Sequence, residues 1–192
     1  MKNHFSKILI LFLMICFTSC RQSNENKTDA VVQTTEDNEE LLTAPDFSLE
    51  SIDGNIINLK DIKGKNIVIH IATTWCPFCN AEAPYLEELY NNYKDKNVAV
   101  LLIDVKESKE LVKEKLQDKF NFTFPVLLDI NGKVAASFAP EDVLPDLARD
   151  EVMLASNILI DKNGKIQFMS LLDSKNFDAK LIALKKKLDE LL

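Results

Sequence analysis

Two cysteines, Cys76 and Cys79, are separated by two residues, a spacing used for thiol–disulfide chemistry and for metal binding. A disulfide between them would close almost no loop and would hardly constrain the unfolded chain, so a purely structural cross-link is excluded. A zinc site would need further ligands, and the remaining soft ligand in the folded part of the sequence is His70. The pair is therefore predicted to be reactive, with metal binding as the alternative.

The elements around the pair indicate which thiol attacks. Residues 67–71 form a nearly continuous apolar run, typical of a strand buried on both faces, and Leu86 and Leu89 begin a helical periodicity after Cys79. Cys76 would then lie at a helix amino terminus, where unpaired N–H groups and the helix dipole stabilise an anion. We expect its thiol pKa to fall below the ordinary value of about 8.5. Cys76 is predicted to be the nucleophile and Cys79 the resolving thiol.

The rest of the sequence predicts strands that alternate with helices. Residues 47–49 and 56–59 flank Asp53-Gly54, which is typical of a β-hairpin. Further strands are predicted from apolar runs at residues 98–103, 124–128, 157–160 and 166–172. One apolar helix stripe is predicted from Phe177, Leu181, Leu184, Leu188 and Leu191. Together these patterns predict an α/β domain with a central mixed β-sheet, helices on both faces and an N-terminal β-hairpin.

The amino terminus has the pattern of an export signal. Lys2 and Lys7 accompany an apolar run at residues 8–17, which is too short to span a bilayer stably. Cys20 follows small residues and resembles the lipidated cysteine of bacterial lipoproteins, although a plain signal cleaved near Ser19 is the alternative. We expect a periplasm-facing protein that is held to the membrane by a lipid anchor.

These patterns predict three parts of the chain: a lipoprotein signal peptide at residues 1–19, a polar flexible tether at 20–43 and a folded domain at 44–192. The formal charge of −7 would become −9 once Lys2 and Lys7 left with the signal. This acidic balance excludes nucleic acid as a partner and weakly favours basic clients.

Six short segments give the domain a resemblance to the TlpA/ResA branch of the thioredoxin-like family: residues 44–49, 64–65, 75–79, 82–84, 123–129 and 159–164. The resemblance covers nearly all of the predicted domain, and its most specific motif is the W-C-x-x-C of residues 75–79. It implies a thioredoxin fold and a periplasmic disulfide reductase without cofactor or resident metal. Its partners would be client proteins, often in cytochrome c maturation, and a membrane electron donor. The direction of transfer in the cell, reducing or oxidising, stays open.

The resemblance also assigns residues around the pair. Trp75, Pro77 and Phe78 would support the redox centre, and Glu82 and Pro84 match the active-site Glu and the helix-kinking Pro of this branch. Glu82 would accept the proton that Cys79 loses, whereas the alternative is an exposed helix residue near a positive helix end.

His70 stands six residues before Cys76, where thioredoxins carry a buried acid. With the period of a strand it would share a face with Val68 and Ala72, beneath the cysteine pair. Two interpretations are open, a proton relay and a satisfied core histidine.

Ala155 is the main departure from the family, because thioredoxins place a cis-proline at this position. A cis bond before alanine would cost about 3–4 kcal/mol, so we expect a trans bond and a reshaped loop. The preceding stretch, residues 139–154, is long and forms an insertion before the last strand pair; it carries Pro140, Pro145 and Arg149. It is either a client-binding flap or a tolerated surface insertion.

Two other functions compete with thiol–disulfide exchange. Thr73 and Cys76 have the spacing of a peroxiredoxin motif, but that motif has a proline at the position of Ile69. A peroxidase also needs an arginine that activates the peroxide, and the only arginines in the mature chain are Arg21 and Arg149. A carrier of Cu(I) could use Cys76 and Cys79 with His70, because these are soft ligands.

Overall fold

The computed structural model describes residues 31–32 and 41–192, so the predicted signal peptide and Cys20 lie outside the described residues. Its strands are β1 (Val31–Val32), β2 (Ser48–Ser51), β3 (Ile56–Asn58), β4 (Asn66–Ala72), β5 (Val98–Val105), β6 (Val126–Asp129), β7 (Ser156–Ile160) and β8 (Ile166–Ser170). Its helices are α1 (Pro77–Tyr93), α2 (Lys109–Val112), α3 (Lys133–Phe138), α4 (Arg149–Val152) and α5 (Ile182–Asp189). A short 3-10 helix follows β3, and a π-helical turn continues α2.

The eight strands form one mixed sheet in the order β1-β8-β7-β4-β5-β6-β2-β3. β4, β5 and β6 run parallel, whereas β7 pairs antiparallel with both β4 and β8. The predicted hairpin is β2–β3, and β2 extends the sheet beyond β6. The predicted α/β class with a central mixed sheet is confirmed. β1 falls within the predicted tether and pairs with the outer edge of β8.

The central strand β4 is buried along its whole length because apolar side chains cover both faces of the sheet. Val68 and Ala72 pack into the cluster that contains α1, whereas Ile67, Ile69 and Ile71 pack into the cluster on the opposite face. His70 shares the first face, as the period of two predicted. This alternation places an imidazole beneath the start of α1.

The carboxyl-terminal helix is shorter than its apolar stripe predicted. α5 begins at Ile182, because Leu181 adopts a left-handed conformation with φ of 57°. Phe177 therefore lies in the preceding loop, where its ring packs edge-to-face against Phe78 at 4.9 Å between centroids. The prediction of one continuous helix from residue 177 is wrong, since a left-handed residue ends helical periodicity.

None of the helices in the described ranges is long and apolar enough to cross a membrane.

Candidate active site

Cys76 is the N-cap of α1, and a short loop at residues 73–75 connects it to the end of β4. Its sulfur accepts a hydrogen bond from the backbone N–H of Cys79 at 3.2 Å. Pro77 occupies the first helical position, where its missing N–H costs nothing and its fixed φ suits the helix. The sequence prediction of a sulfur at a helix amino terminus is confirmed.

The two thiols have opposite pKa shifts. The pKa of Cys76 falls to about 6, chiefly because the Cys79 thiol donates a hydrogen bond to its sulfur, while burial opposes the change. The backbone N–H groups of Cys79 and Phe78 lower it further. The pKa of Cys79 rises, first because of this same hydrogen bond and then because of burial. Near neutral pH the pair therefore holds one thiolate, on Cys76, and one thiol.

Glu82 lies inside the protein, only 2% exposed, so the alternative of a solvated helix residue is excluded. Its Oε1 accepts a hydrogen bond from Asn157 Nδ2 at 2.8 Å. Burial raises the pKa of Glu82 to about 8, the hydrogen bond from Asn157 opposes this, and the charges of Cys76 and Asp178 add to it. The carboxyl group is therefore poised to exchange a proton near physiological pH.

His70 is fully buried and donates through Nδ1 to Asn157 Oδ1 at 3.0 Å. The same nitrogen lies 3.6 Å from Glu82 Oε2. Burial lowers the pKa of His70 to about 4, and its hydrogen bonds to Asn157 and to the Ser156 backbone oppose this shift. The imidazole is therefore neutral and linked through an amide to Glu82.

Asn157 joins these two residues, and sequence reasoning missed it. It is the direct partner of His70 in the antiparallel pairing of β4 with β7. A polar residue at the start of the apolar run 157–160 was the available signal. Nothing local in the sequence reveals that register, because the two strands lie 87 residues apart.

The loop before Cys76 is held by residues that sequence reasoning also missed. Thr74 donates its Oγ1–H, at 2.7 Å, and its backbone N–H to the carboxylate of Glu107. Asn80 Nδ2 donates to the carbonyl oxygens of Thr74 and Cys76, at 2.9 and 2.7 Å. These contacts fix the backbone from which the Cys76 sulfur projects.

The other predicted supporting residues lie on the surface around the thiols. Trp75 is 67% exposed, Phe78 is half-buried, and Pro77 and Pro84 are exposed. Pro84 lies inside α1, and a proline there removes one helical hydrogen bond. Trp75, Pro77 and Phe78 line an open groove together with Cys76, whereas Pro84 does not line it.

Ala155 has a left-handed backbone with φ of 59°, and the described residues contain no cis peptide bond. This agrees with the expected trans, reshaped loop. Its N–H donates to the Ile71 carbonyl oxygen at 2.9 Å, and it packs in the same cluster as the two cysteines. Proline could not replace it here without losing this hydrogen bond and changing the sign of φ.

The described residues do not form the sites that the metal-carrier and peroxidase alternatives would need. Across the described ranges, no three His, Cys, Asp or Glu side chains converge as a metal site, and His70 is turned towards Asn157. The guanidinium of Arg149 donates to the carbonyl oxygens of Val143 and Pro140 within the insertion. It is therefore engaged in a structural role that does not serve a peroxide.

Comparison with known proteins places the site in a family. The profile of the AhpC/TSA family matches residues 42–169. The thiol-disulfide oxidoreductase ResA of Geobacillus kaustophilus is 33% identical over 160 residues, which cover 83% of this chain and 80% of that protein. ResA of Bacillus thuringiensis is 35% identical over 123 residues, 64% of each chain. The chain thus spans somewhat under two thirds of the length of this Bacillus relative.

Solved structures show the same fold. A candidate protein disulfide isomerase from Bacteroides thetaiotaomicron superposes with a TM-score of 0.67 at 26% identity, over 80% of this chain and 90% of that one. A secreted disulfide oxidoreductase of Mycobacterium tuberculosis superposes with a TM-score of 0.59 at 21% identity, over 76% and 96% of the two chains. With a ResA-like sequence on a thioredoxin fold, the chain belongs to the AhpC/TSA family, in the branch of the ResA-type thiol-disulfide oxidoreductases.

Proposed function

We propose that this protein is a thiol–disulfide oxidoreductase that reduces disulfides of client proteins through Cys76 and Cys79. One observation carries the proposal: Cys76 caps α1 with its pKa lowered to about 6, beside a Cys79 thiol whose pKa is raised. Thiolate is the attacking species in disulfide exchange, so a sulfur of this kind reacts at neutral pH.

The first step is attack by the Cys76 thiolate on one sulfur of a client disulfide. A bond forms between Cys76 and the client, the client disulfide breaks, and its second sulfur leaves as a thiolate. Cys76 is only 4% exposed but lines an open groove that a client could enter, whereas Cys79 does not line that groove. Access and pKa therefore agree on which cysteine attacks.

The second step needs a base, because Cys79 must lose its proton before it attacks the mixed disulfide. Glu82 is the buried carboxyl whose charge couples to both thiols. When the Cys76 thiolate is consumed, the negative charge that raises the pKa of Glu82 disappears, so Glu82 ionises more readily. The same event removes the hydrogen bond and the charge that raise the pKa of Cys79. The first change increases the fraction of Glu82 that is ionised and able to accept a proton, and the second makes Cys79 a stronger acid, so Cys79 can pass its proton to Glu82 at this stage.

Resolution then completes the exchange. The Cys79 thiolate attacks the Cys76 sulfur, the Cys76–Cys79 disulfide forms, and the client leaves with both sulfurs reduced. Two electrons have passed from the dithiol to the client. A cavity of about 60 Å³, lined by Glu82, Asn157 and Asp178 among others, adjoins the carboxyl group and has room for water. It offers a route by which the proton reaches solvent.

Export, lipidation of Cys20 and recharging by a membrane electron donor belong to the same proposal. Export and lipidation are supported by the pattern of residues 1–20, and recharging by a membrane donor is supported by the family resemblance. Service to cytochrome c maturation rests on the family resemblance alone. Cys20→Ala should release the protein from membranes while leaving the redox activity of the pair intact, because a polar tether would decouple the two. A wild-type protein without lipid by mass spectrometry would contradict this part.

The division of labour between the thiols is the direct test. Cys79→Ser should accumulate disulfide-linked complexes with clients, because the mixed disulfide cannot be resolved, and Cys76→Ser should not. Non-reducing gels and mass spectrometry of both variants measure this. Iodoacetamide should alkylate Cys76 first, at pH values well below 8. Equal alkylation of both thiols with no trapped complex would overturn the proposal.

A further inference from the structure

We propose that the insertion at residues 139–154 forms one wall of a client-binding groove, which takes an extended segment with a large apolar residue next to its disulfide cysteine and basic residues nearby. The inference rests on the proposed function and names its substrate class. The groove has a volume of about 290 Å³, and Cys76 is one of the residues that line it. Trp75 and Phe78, at the start of α1, line one side of the groove, and Leu144 and Leu147 of the insertion also line it.

The insertion is fixed to the domain and does not form a loose surface loop. Arg149 donates to the carbonyl oxygens of Val143, at 2.9 Å, and Pro140, which closes the insertion on itself. Asp150 forms an ion pair with Lys106, the residue that follows β5. Because these bonds hold the wall in place before a client arrives, binding would not have to order it.

The contact between the insertion and the body is close. A Cβ atom at Gly132 would lie 2.8 Å from both Asp150 Oδ2 and Lys106 Cε. Gly132 itself has φ of 71° and leads into α3. A side chain would therefore disturb the ion pair that anchors the insertion, which again indicates a wall with a defined position.

Leu144 has an unfavourable backbone conformation for a leucine. Its φ is 47°, a left-handed conformation that glycine or asparagine normally adopts, and its side chain is 52% exposed. Leu147, whose N–H donates to the Leu144 carbonyl oxygen, is 44% exposed. Two exposed leucines, one of them in a strained turn, gain nothing for the isolated fold. Both line the groove beside Cys76, where a client segment would cover them.

The charge around this wall selects among clients. The exposed charged residues of the insertion are acidic: Glu141, Asp142, Asp146 and Glu151. Its one basic residue, Arg149, is engaged by backbone carbonyls, and Glu151 itself lines the groove. Opposite charges steer encounter, so a segment carrying Lys or Arg near its cysteine is favoured over an acidic one.

Reduction of matched synthetic substrates tests the inference, with the full-length protein in detergent. Two disulfide-linked peptide dimers of equal charge, each bearing one Lys, differ only in a Leu or a Ser next to the cysteine. The reduced wild type should react with the Leu dimer at least about tenfold faster, because the leucine is buried on binding. The double variant Leu144→Asn/Leu147→Ser should bring this ratio close to one. Asparagine suits the left-handed turn, so the variant should fold.

Ile182→Ser supplies the matched control, since Ile182 is a 63% exposed aliphatic residue on α5 outside the groove. It should keep the wild-type ratio. Replacing the peptide Lys by Glu should slow the wild-type reaction several-fold at low salt, and about 0.5 M salt should abolish this difference.

The outcomes separate the two proposals. A wild-type ratio near one together with rapid reduction of hydroxyethyl disulfide overturns the groove but leaves the oxidoreductase standing. A full wild-type ratio that survives in the double variant also overturns the groove. If the protein reduces none of the Leu dimer, the Ser dimer and hydroxyethyl disulfide, the proposed function itself is overturned.

Discussion

Glu82 and Asp104 are both buried acids on the sheet face that carries α1, yet their surroundings differ. Burial raises the pKa of Glu82 to about 8 and that of Asp104 to about 9. Glu82 is held by the amide of Asn157 and couples to the charge of Cys76. Asp104 lies opposite Ala72 in the pairing of β5 with β4, and its pKa responds to Glu107 rather than to a thiol.

Glu82 and Asp104 also differ in the charged groups that act on them. The carboxylate of Glu107 also raises the pKa of Asp104, and Glu107 is itself bonded to Thr74 in the loop before the cysteines. The protonated Asp104 is thus next to a group that positions the active-site loop, whereas Glu82 responds to the thiolate. A raised pKa alone therefore does not identify a proton-transfer residue; coupling to the reacting charge does.

The largest kinetic effect is expected from Glu82→Gln. Gln keeps an oxygen that can accept from Asn157 but cannot take the proton of Cys79, so resolution of the mixed disulfide should slow by about 100-fold. Rapid-quench measurement of the mixed disulfide follows this step. In the wild type the resolution rate should rise with pH and level off below about pH 8, because the pKa of Glu82 drops from about 8 when the Cys76 charge is lost, and the variant should lose that rise. An unchanged profile would remove Glu82 from the proposed mechanism.

Ala155→Pro tests the wall of the Glu82 cavity. Proline needs a negative φ and has no N–H, whereas Ala155 has φ of 59° and donates to Ile71. The free energy of unfolding should therefore drop by about 3 kcal/mol or more in urea titrations. Ala155→Gly is the control and should stay within about 1 kcal/mol of the wild type, because relief of the left-handed strain offsets the lost methyl burial.

Ala155→Pro also tests the copper-carrier alternative, because a proline ring beside the thiols would crowd a metal and should weaken Cu(I) binding by the reduced pair. If the reduced wild type binds Cu(I) no more tightly than a short C-x-x-C peptide, the copper-carrier alternative fails.

Asn157→Ala should act on the Glu82 site through both of its hydrogen bonds. Its loss leaves Glu82 Oε1 and His70 Nδ1 without their partners, so the free energy of unfolding should fall by about 1–3 kcal/mol. It also removes the hydrogen bond that lowers the pKa of Glu82, so the pH profile of resolution should move to higher pH. A stability loss without that shift would make the link between His70 and Glu82 purely structural.

The smallest kinetic effect is expected at the other acid. Asp104→Asn mimics the protonated carboxyl group, so the rate of client reduction at pH 7 should stay within about twofold of the wild type. Stability should respond instead. The pKa of Asp104 is raised from 3.8 to about 9 in the fold, so its contribution to stability is most favourable below about pH 4 and is lost progressively as pH rises towards 9.

Asp104→Asn lacks this loss. It should therefore be more stable than the wild type at pH 9, by about 1 kcal/mol or more, and show no such gain at pH 4. Thermal unfolding at the two pH values measures the difference. A rate loss as large as that of Glu82→Gln would break the distinction between the two acids.

Local patterns were sufficient for the reactive pair and for much of the fold. The W-C-x-x-C segment, the apolar run of β4 and the helical repeat after Cys79 predicted a sulfur at the amino terminus of α1. The Asp53-Gly54 turn predicted the β2–β3 hairpin, because glycine supplies the positive φ that such a turn requires. These features depend on neighbours within a few residues, so the sequence by itself determined them.

Tertiary structure decided what surrounds the thiols. The Asn157 link depends on the register between β4 and β7, the position of Glu107 depends on packing of the loop after β5, and the leucines of the insertion reach Cys76 through long-range contacts. Such contacts arise from burial, which is nearly non-directional and leaves no local periodicity. The proposed nucleophile therefore lies in a local sequence motif, whereas the proposed base, the contacts that hold the active-site loop and the proposed client groove form only when distant segments pack together.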